Sequence, residues 1–169
     1  RWKGHSEFIG MIAELIQRGH LVHGLIAGGA SGPRVSFERE LRKLVVEKEL
    51  HEHITFLGNR DDLREVLASA DIAYSLTLEP EAFGRTTIEA LSLGIPVVGY
   101  DHGGTGEILR EVLPDGLVPA GDISRAVETS ARFLESGIEV PKSHRFTLAK
   151  MQEETLVVYE NLYRKSRSR

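Results

Sequence analysis

The chain has 169 residues, 41% of them apolar, with 25 acidic and 21 basic side chains and a formal net charge of -4. That length suits one domain with a single core, and the acidic balance disfavours a general nucleic-acid binder, whose surface is usually basic. Cysteine is absent, which excludes disulfides, thiolate nucleophiles and zinc–cysteine sites. No apolar run is long enough to span a membrane and no signal peptide is visible at the start, so the expectation is a soluble cytoplasmic domain.

Trp2-Lys3-Gly4-His5 leads straight into a helix whose Phe8, Ile12, Leu15 and Ile16 share one face, ended by Gly19. A strand is expected over 21–27, then a glycine-rich loop over 28–33 that starts with Gly28 and Gly29. A second amphipathic helix from about Ser36 turns Phe37, Leu41, Leu44 and Val45 inward, and 53–57 (HITFL) reads as a strand. The turn over 58–62 holds Asn59 and Arg60, and Asp61 or Asp62 is placed to cap a helix carrying Leu63, Val66, Leu67 and Ala70. Residues 71–76 (DIAYSL) have the pattern of a buried strand.

The next stretch, 79–96 (EPEAFGRTTIEALSLGIP), organises the chain. Glu79-Pro80 stops the strand, because proline cannot donate to a ladder. Gly84 permits a sharp turn or a close ligand approach, and Ile88, Leu91 and Ile95 then repeat at helical spacing until Gly94 and Pro96 end the helix. The free N–H groups at such a helix start are a ready site for phosphate. A strand over 96–100, a second glycine-rich turn over 101–107 before a short helix, a short strand at Leu117-Val118 and two further helices follow, the last carrying Met151, Thr155, Val158 and Leu162. The basic end, 164–169, is expected to be solvated.

Strands alternating with helices imply a parallel sheet covered on both faces. Ligands of such sheets bind beyond the C-terminal ends of the strands, so the loops at 28–33, 58–62, 79–84 and 101–106 should gather on one rim. The seven histidines show no paired ligand spacing, so no metal is expected. There is no GxSxG elbow and no GxGxxG, which leaves dehydrogenase chemistry little support.

The string Glu81-x-Phe83-Gly84-x4-Glu89-Ala90-x3-Gly94-x-Pro96, after a strand and opening a helix, resembles the donor-site signature of retaining glycosyltransferase family 4, also called group 1, of the GT-B fold. The resemblance implies a Rossmann-like domain over 1–169, the C-terminal nucleotide-sugar-binding half of a GT-B enzyme. It implies a nucleoside-diphosphate sugar, such as a UDP-sugar or GDP-sugar, as donor, with no cofactor. It further implies an acceptor glycan or lipid-linked sugar held by an N-terminal domain, in polysaccharide synthesis, with the parent enzyme peripheral to the membrane.

Each residue carries a plainer reading beside the one the resemblance implies. Thr86-x-x-Glu89 is a capping box on sequence alone; the resemblance aims the Glu89 carboxylate at the ribose hydroxyls. Glu81 is a loop carboxylate, or reaches hydroxyls of the donor sugar. Gly84 is a turn glycine, or frees the N–H groups of Arg85, Thr86 and Thr87, next to Phe83, to face the sugar and distal phosphate. Lys3 opposes the dipole of its own helix as a solvated lysine, or serves as a point charge on the diphosphate. Asn59 and Arg60 are turn residues or lie against the nucleobase, and Gly28 and Gly29 merely turn the chain or let the base approach. By resemblance, Glu81 and Lys3 belong to the catalytic step and the others to nucleotide-sugar binding.

In the family a strand and an arginine precede the Lys-Gly pair, so the first strand is expected to be missing here. It would lie between strands 21–27 and 71–76. Upstream residues or a strand-sharing partner chain would then fill the gap, or the two edges would close up. Two alternatives stand beside the transferase: a nucleotide-sugar epimerase of GT-B architecture, and a non-catalytic nucleotide-binding or receiver-like α/β module built on Asp71 and Asp101.

Overall fold

The computed structural model describes residues 2–29, 35–141 and 143–167. Its elements run α1 (His5–Gln17), β1 (Gly24–Ala27), α2 (Val35–Glu47), β2 (Ile54–Gly58), α3 (Leu63–Ala68), β3 (Ala73–Ser75), α4 (Arg85–Ser92), β4 (Val97–Tyr100), α5 (Gly103–Val112), β5 (Leu117–Val118), α6 (Ile123–Ser136) and α7 (Leu148–Arg167). Every strand pairing is parallel, as the alternation of strands and helices requires. All four residues of β4 are buried, which is how a strand covered on both faces reads. β1 begins three residues later than expected. Its first ladder bond joins the Gly24 N–H to the His53 carbonyl at 2.8 Å, and β2, its partner, starts only at Ile54; Leu21 therefore lies ahead of the ladder and stands exposed.

The strands form two sheets, β1-β2 and β3-β4-β5. A cleft of about 600 Å³ separates the facing edges of β1 and β3, lined by Phe8, Ile12, Ile26, Leu67, Ala73 and Tyr74 among others. The two edges do not close up, and α1 supplies the reason. Its Ile9 and Ile12 pack with Ile26, Leu41, Val45, Leu50 and Ile54 beside the small sheet. Its Met11 and Leu15 pack with Leu76, Leu91, Val97, Val98, Leu109 and Val127 beside the larger one. One rigid helix thus holds both sheets at a fixed separation. The chain just before α1 lies along the end of β3, where the Trp2 carbonyl accepts the Leu78 N–H at 2.6 Å.

The glycines at 103, 104 and 106, expected in a turn, form the first turns of α5. Their role is close approach. A Cβ at Gly104 would stand 2.2 Å from the carbonyl carbon and oxygen of Phe83, so only glycine lets α5 lie against the loop ahead of α4. At the other end, α7 extends through Arg167, into the stretch expected to be a solvated tail, and all its described residues are exposed. No described helix is long and apolar enough to cross a membrane.

Candidate functional site

Within each sheet, parallel pairing puts the C-terminal ends of the strands on one edge, and there the expected loops come together in two pairs. On the small sheet, Gly28 donates its N–H to the Gly58 carbonyl at 2.8 Å, and a Cβ on Gly29 would lie 2.6 Å from the Asn59 side-chain oxygen. A register shift between Ile26 and Ala27 re-aims the chain at this point. Residues 30–33 of the expected glycine loop lie outside the described residues. Arg60 is not free for a ligand: its Nε donates to Asp62 Oδ1 at 2.6 Å and its Nη2 to Asp62 Oδ2. That pairing holds the Asp62 carboxyl below its ordinary pKa. It also corrects the expected cap, since Asp62 precedes α3 but makes no side-chain cap bond. A two-toothed charge-assisted pair is stronger than a single bond to a backbone N–H.

On the larger sheet, the loop from β3 meets the start of α5. The Gly104 N–H donates to the Glu81 carbonyl at 2.8 Å. His102 Nε2 donates to the Thr77 carbonyl at 2.6 Å, which fixes its tautomer. α4 starts directly after Gly84, which sits at φ +79° in the left-handed region; a side chain there would be strained. This start overturns the capping-box reading. With Gly84 as the cap and no side-chain cap bond, Thr86 already lies inside the helix, and the exposed Glu89 carboxylate accepts from Arg85 Nη2 at 3.3 Å instead. The Thr87 N–H closes onto the Gly84 carbonyl at 3.1 Å, leaving Arg85 and Thr86 as the first-turn N–H groups beyond the helix's own acceptors. Phe83 is exposed and its ring meets Phe146 edge-on, 6.4 Å between centroids.

Lys3 and Glu81, 78 residues apart in sequence, form an ion pair beside this helix start. Lys3 Nζ also lies 4.1 Å from the centre of the Trp2 ring. Partial burial pulls the Lys3 pKa below the ordinary lysine value, while the adjacent carboxylate favours the charged form. Sequence spacing held no signal for this pair. Lys3, Ala27 and Thr86 all line the cleft between the sheets, so the two pairs of loops face one another across its mouth. Among the described residues, no group of three or more His, Asp or Glu side chains could hold a metal ion.

Comparison with known proteins agrees with this architecture. The family model of glycosyl transferases group 1 matches residues 1–152, and the chain belongs to that family. It is similar to the lipopolysaccharide core biosynthesis mannosyltransferase LpsB of Rhizobium meliloti (strain 1021), 26% identical over 151 residues, which is 83% of this chain and 43% of that protein. It is also similar to a D-inositol 3-phosphate glycosyltransferase of Mycobacterium sp. (strain KMS), 32% identical over 69% of this chain and 27% of that protein. Among solved structures, Anabaena HepE in complex with UDP superposes with a TM-score of 0.72 at 26% identity, covering 79% of this chain and 36% of that one. A glycosyltransferase from Rickettsia africae reaches 0.80 at 22% identity over 96% of this chain and 45% of that one; at that identity the likeness is one of fold. The chain spans less than half the length of these relatives. It is a glycosyltransferase domain with the parallel α/β fold of one half of a GT-B enzyme. The receiver-like alternative fails on geometry. Asp71 precedes β3 and Asp101 follows β4, so in parallel strands the two lie at opposite edges of the sheet, and Asp101 is engaged by Arg110.

Proposed function

We propose that this domain holds the donor of a retaining family 4 glycosyltransferase, a nucleoside-diphosphate sugar, and that the whole enzyme passes the sugar to an acceptor hydroxyl. What supports this is the α4 start: N–H groups after Gly84 at the C-terminal edge of β3, with a lysine and a carboxylate beside them. Helix N-termini favour phosphate, and the UDP and UDP-glucose complexes of HepE show that this fold accommodates such a ligand in a relative. The Glu89 carboxylate would take the ribose hydroxyls and Glu81 those of the sugar. Lys3 would meet the diphosphate after exchanging its present partner. Gly28, Gly29, Asn59 and Arg60 would border the base, Arg60 once released from Asp62.

In transfer, the bond from the anomeric carbon to the diphosphate oxygen breaks and a bond to the acceptor oxygen forms. The acceptor proton passes to the leaving phosphate. Negative charge grows on that phosphate, so the Lys3 ammonium and the Arg85 and Thr86 N–H groups lower the barrier. Neither metal nor cofactor enters this scheme. A second domain would supply the acceptor, a glycan or lipid-linked sugar in polysaccharide synthesis, on the cytoplasmic side of a membrane. An extended segment, from upstream or from a partner chain, would fill the cleft between β1 and β3.

Calorimetric titration with UDP, GDP and ADP tests the proposal. One of them should bind at about 0.1–1 mM, and binding to none would refute it. Glu89→Gln should weaken nucleotide binding roughly tenfold, since a charged hydrogen bond is worth ~1.5–3 kcal/mol. Glu81→Gln should spare free nucleotide and weaken the nucleotide sugar. The isolated domain should transfer no sugar, because holding both reactants can supply about 7–11 kcal/mol of the barrier.

A further inference from the structure

Beneath the start of α4, hydroxyls from three elements meet out of water. Thr105 Oγ1 of α5 lies 2.9 Å from Ser75 Oγ of β3 and 3.3 Å from Thr87 Oγ1 of α4. The three residues are 1%, 8% and 1% exposed, so each bond forms where water cannot substitute. A hydroxyl offers one donor and two acceptor lone pairs; Thr105 can therefore donate to one neighbour while accepting from the other, and such chains polarise one another. Thr105 also abuts the glycine that opens α4. A Cβ on Gly84 would stand 2.9 Å from Thr105 Oγ1 and 3.0 Å from its backbone nitrogen.

We propose that Thr105 is a positioning residue for the donor site: its hydroxyl pins the first turn of α4, and with it the N–H groups after Gly84, to β3 and α5. The proposal rests on the donor-site assignment above. Thr105 itself is buried and touches no ligand; it acts through Thr87 and Gly84. Phosphate stabilisation by backbone N–H groups depends on their aim, and a displacement of about 1 Å costs much of it. Valine at 105 keeps the shape of threonine but strips both bonds from Ser75 and Thr87, and buried hydroxyls without partners drive local rearrangement.

The test compares Thr105→Val and Thr105→Ser with the wild-type chain, at a temperature where circular dichroism shows all three folded. Amide chemical shifts of Arg85, Thr86 and Thr87 are measured without ligand, and UDP, GDP and ADP are then titrated. Thr105→Val should move those shifts and weaken whichever nucleotide the wild-type chain binds roughly five- to tenfold, while Thr105→Ser, which keeps the hydroxyl, restores the shifts and binds within about twofold. Unchanged shifts in Thr105→Val would overturn the proposal, as would a serine variant as impaired as the valine one, which would make the methyl group responsible. Wild-type chain that binds no UDP, GDP or ADP refutes the donor-site assignment separately, because the ligand-free shifts still report the pinning of α4. Should Thr105→Val fail to fold, Ser75→Ala removes one of the two bonds and should give a smaller change in the same direction; no change there counts against the proposal.

Discussion

Replacing Gly104 with alanine sets two effects of opposite sign against each other. Alanine in a helix gains about 1 kcal/mol over glycine. Here, however, the new Cβ would stand 2.2 Å from the Phe83 carbonyl group, where ordinary contact begins near 3.4 Å, so α5 or the 81–84 loop must yield by about 1.2 Å. The obstacle is backbone, which cannot swing aside as a side chain can. Overpacking of this kind costs about 1–3 kcal/mol, occasionally more, and the 2.8 Å bond from the Gly104 N–H to the Glu81 carbonyl is worth about 0.5–1.5 kcal/mol more. The steric side wins by about 1–3 kcal/mol. At about 2–4 °C per kcal/mol for a domain of this size, thermal unfolding followed by circular dichroism should show Tm lowered by roughly 3–10 °C. Nucleotide-sugar binding should weaken with it, because Glu81 moves. Gly10→Ala is the matched control: Gly10 lies inside α1 with nothing within 4 Å of the added Cβ, so Tm should rise and binding should not change. Equal stabilisation by both substitutions would refute the account of the glycines in α5.

Other outcomes are specific to single side chains. Tyr100 is fully buried, its hydroxyl has no hydrogen-bond partner among the described residues, and burial pushes its pKa up to about 12. Tyr100→Phe should therefore be neutral or stabilising by up to about 1–3 kcal/mol, the cost of an unsatisfied buried group, as chemical denaturation would measure. Burial, followed by the nearby positive charge of Lys3, holds His5 below its ordinary pKa of 6.5. The unfolded chain then binds more protons in that window, so stability present above about pH 6.5 is lost as pH falls toward the folded value; Tm should drop between about pH 7 and pH 5, and His5→Gln should flatten the slope. Val158→Ser and Leu162→Ser should each change stability by no more than about 0.5 kcal/mol, since both lie on the exposed helix α7; a larger loss in either would show that α7 packs in solution.

Much of the fold was readable from periodicity because strands and helices here carry unbroken apolar patterns. β4 is buried at every position, and the core-facing residues of α1 recur at helical spacing. What escaped prediction depends on partners distant in sequence. The start of β1 is set by where β2 begins, not by the apolar Leu21 and Val22. Glycines 103, 104 and 106 signal a turn locally, yet open a helix, and the first two of them serve as a flat surface for the 80–83 loop. The capping box was a local inference that a glycine cap two residues earlier displaced. Of the site, the Gly84 turn and the loop positions were legible from punctuation alone. The ion pair of Lys3 with Glu81 and the hydroxyls of Ser75, Thr87 and Thr105 were not, because side chains 18 to 78 residues apart leave no pattern in the chain.

The seam between the sheets also governs how the domain comes apart. Two apolar clusters lie on either side of it, and α1 is the element that divides its buried side chains between them. No ladder bond joins the halves among the described residues, so each can unfold as its own cooperative unit. The unit of β1, α2 and β2 holds the smaller cluster and should open first, with amides of Ile26 and Ile54 exchanging with solvent well before those of Val97 and Val98. A strand bound in the seam would tie the ladders together, merge two steps of exchange into one, and make the occupancy of that seam visible in the cooperativity of melting alone.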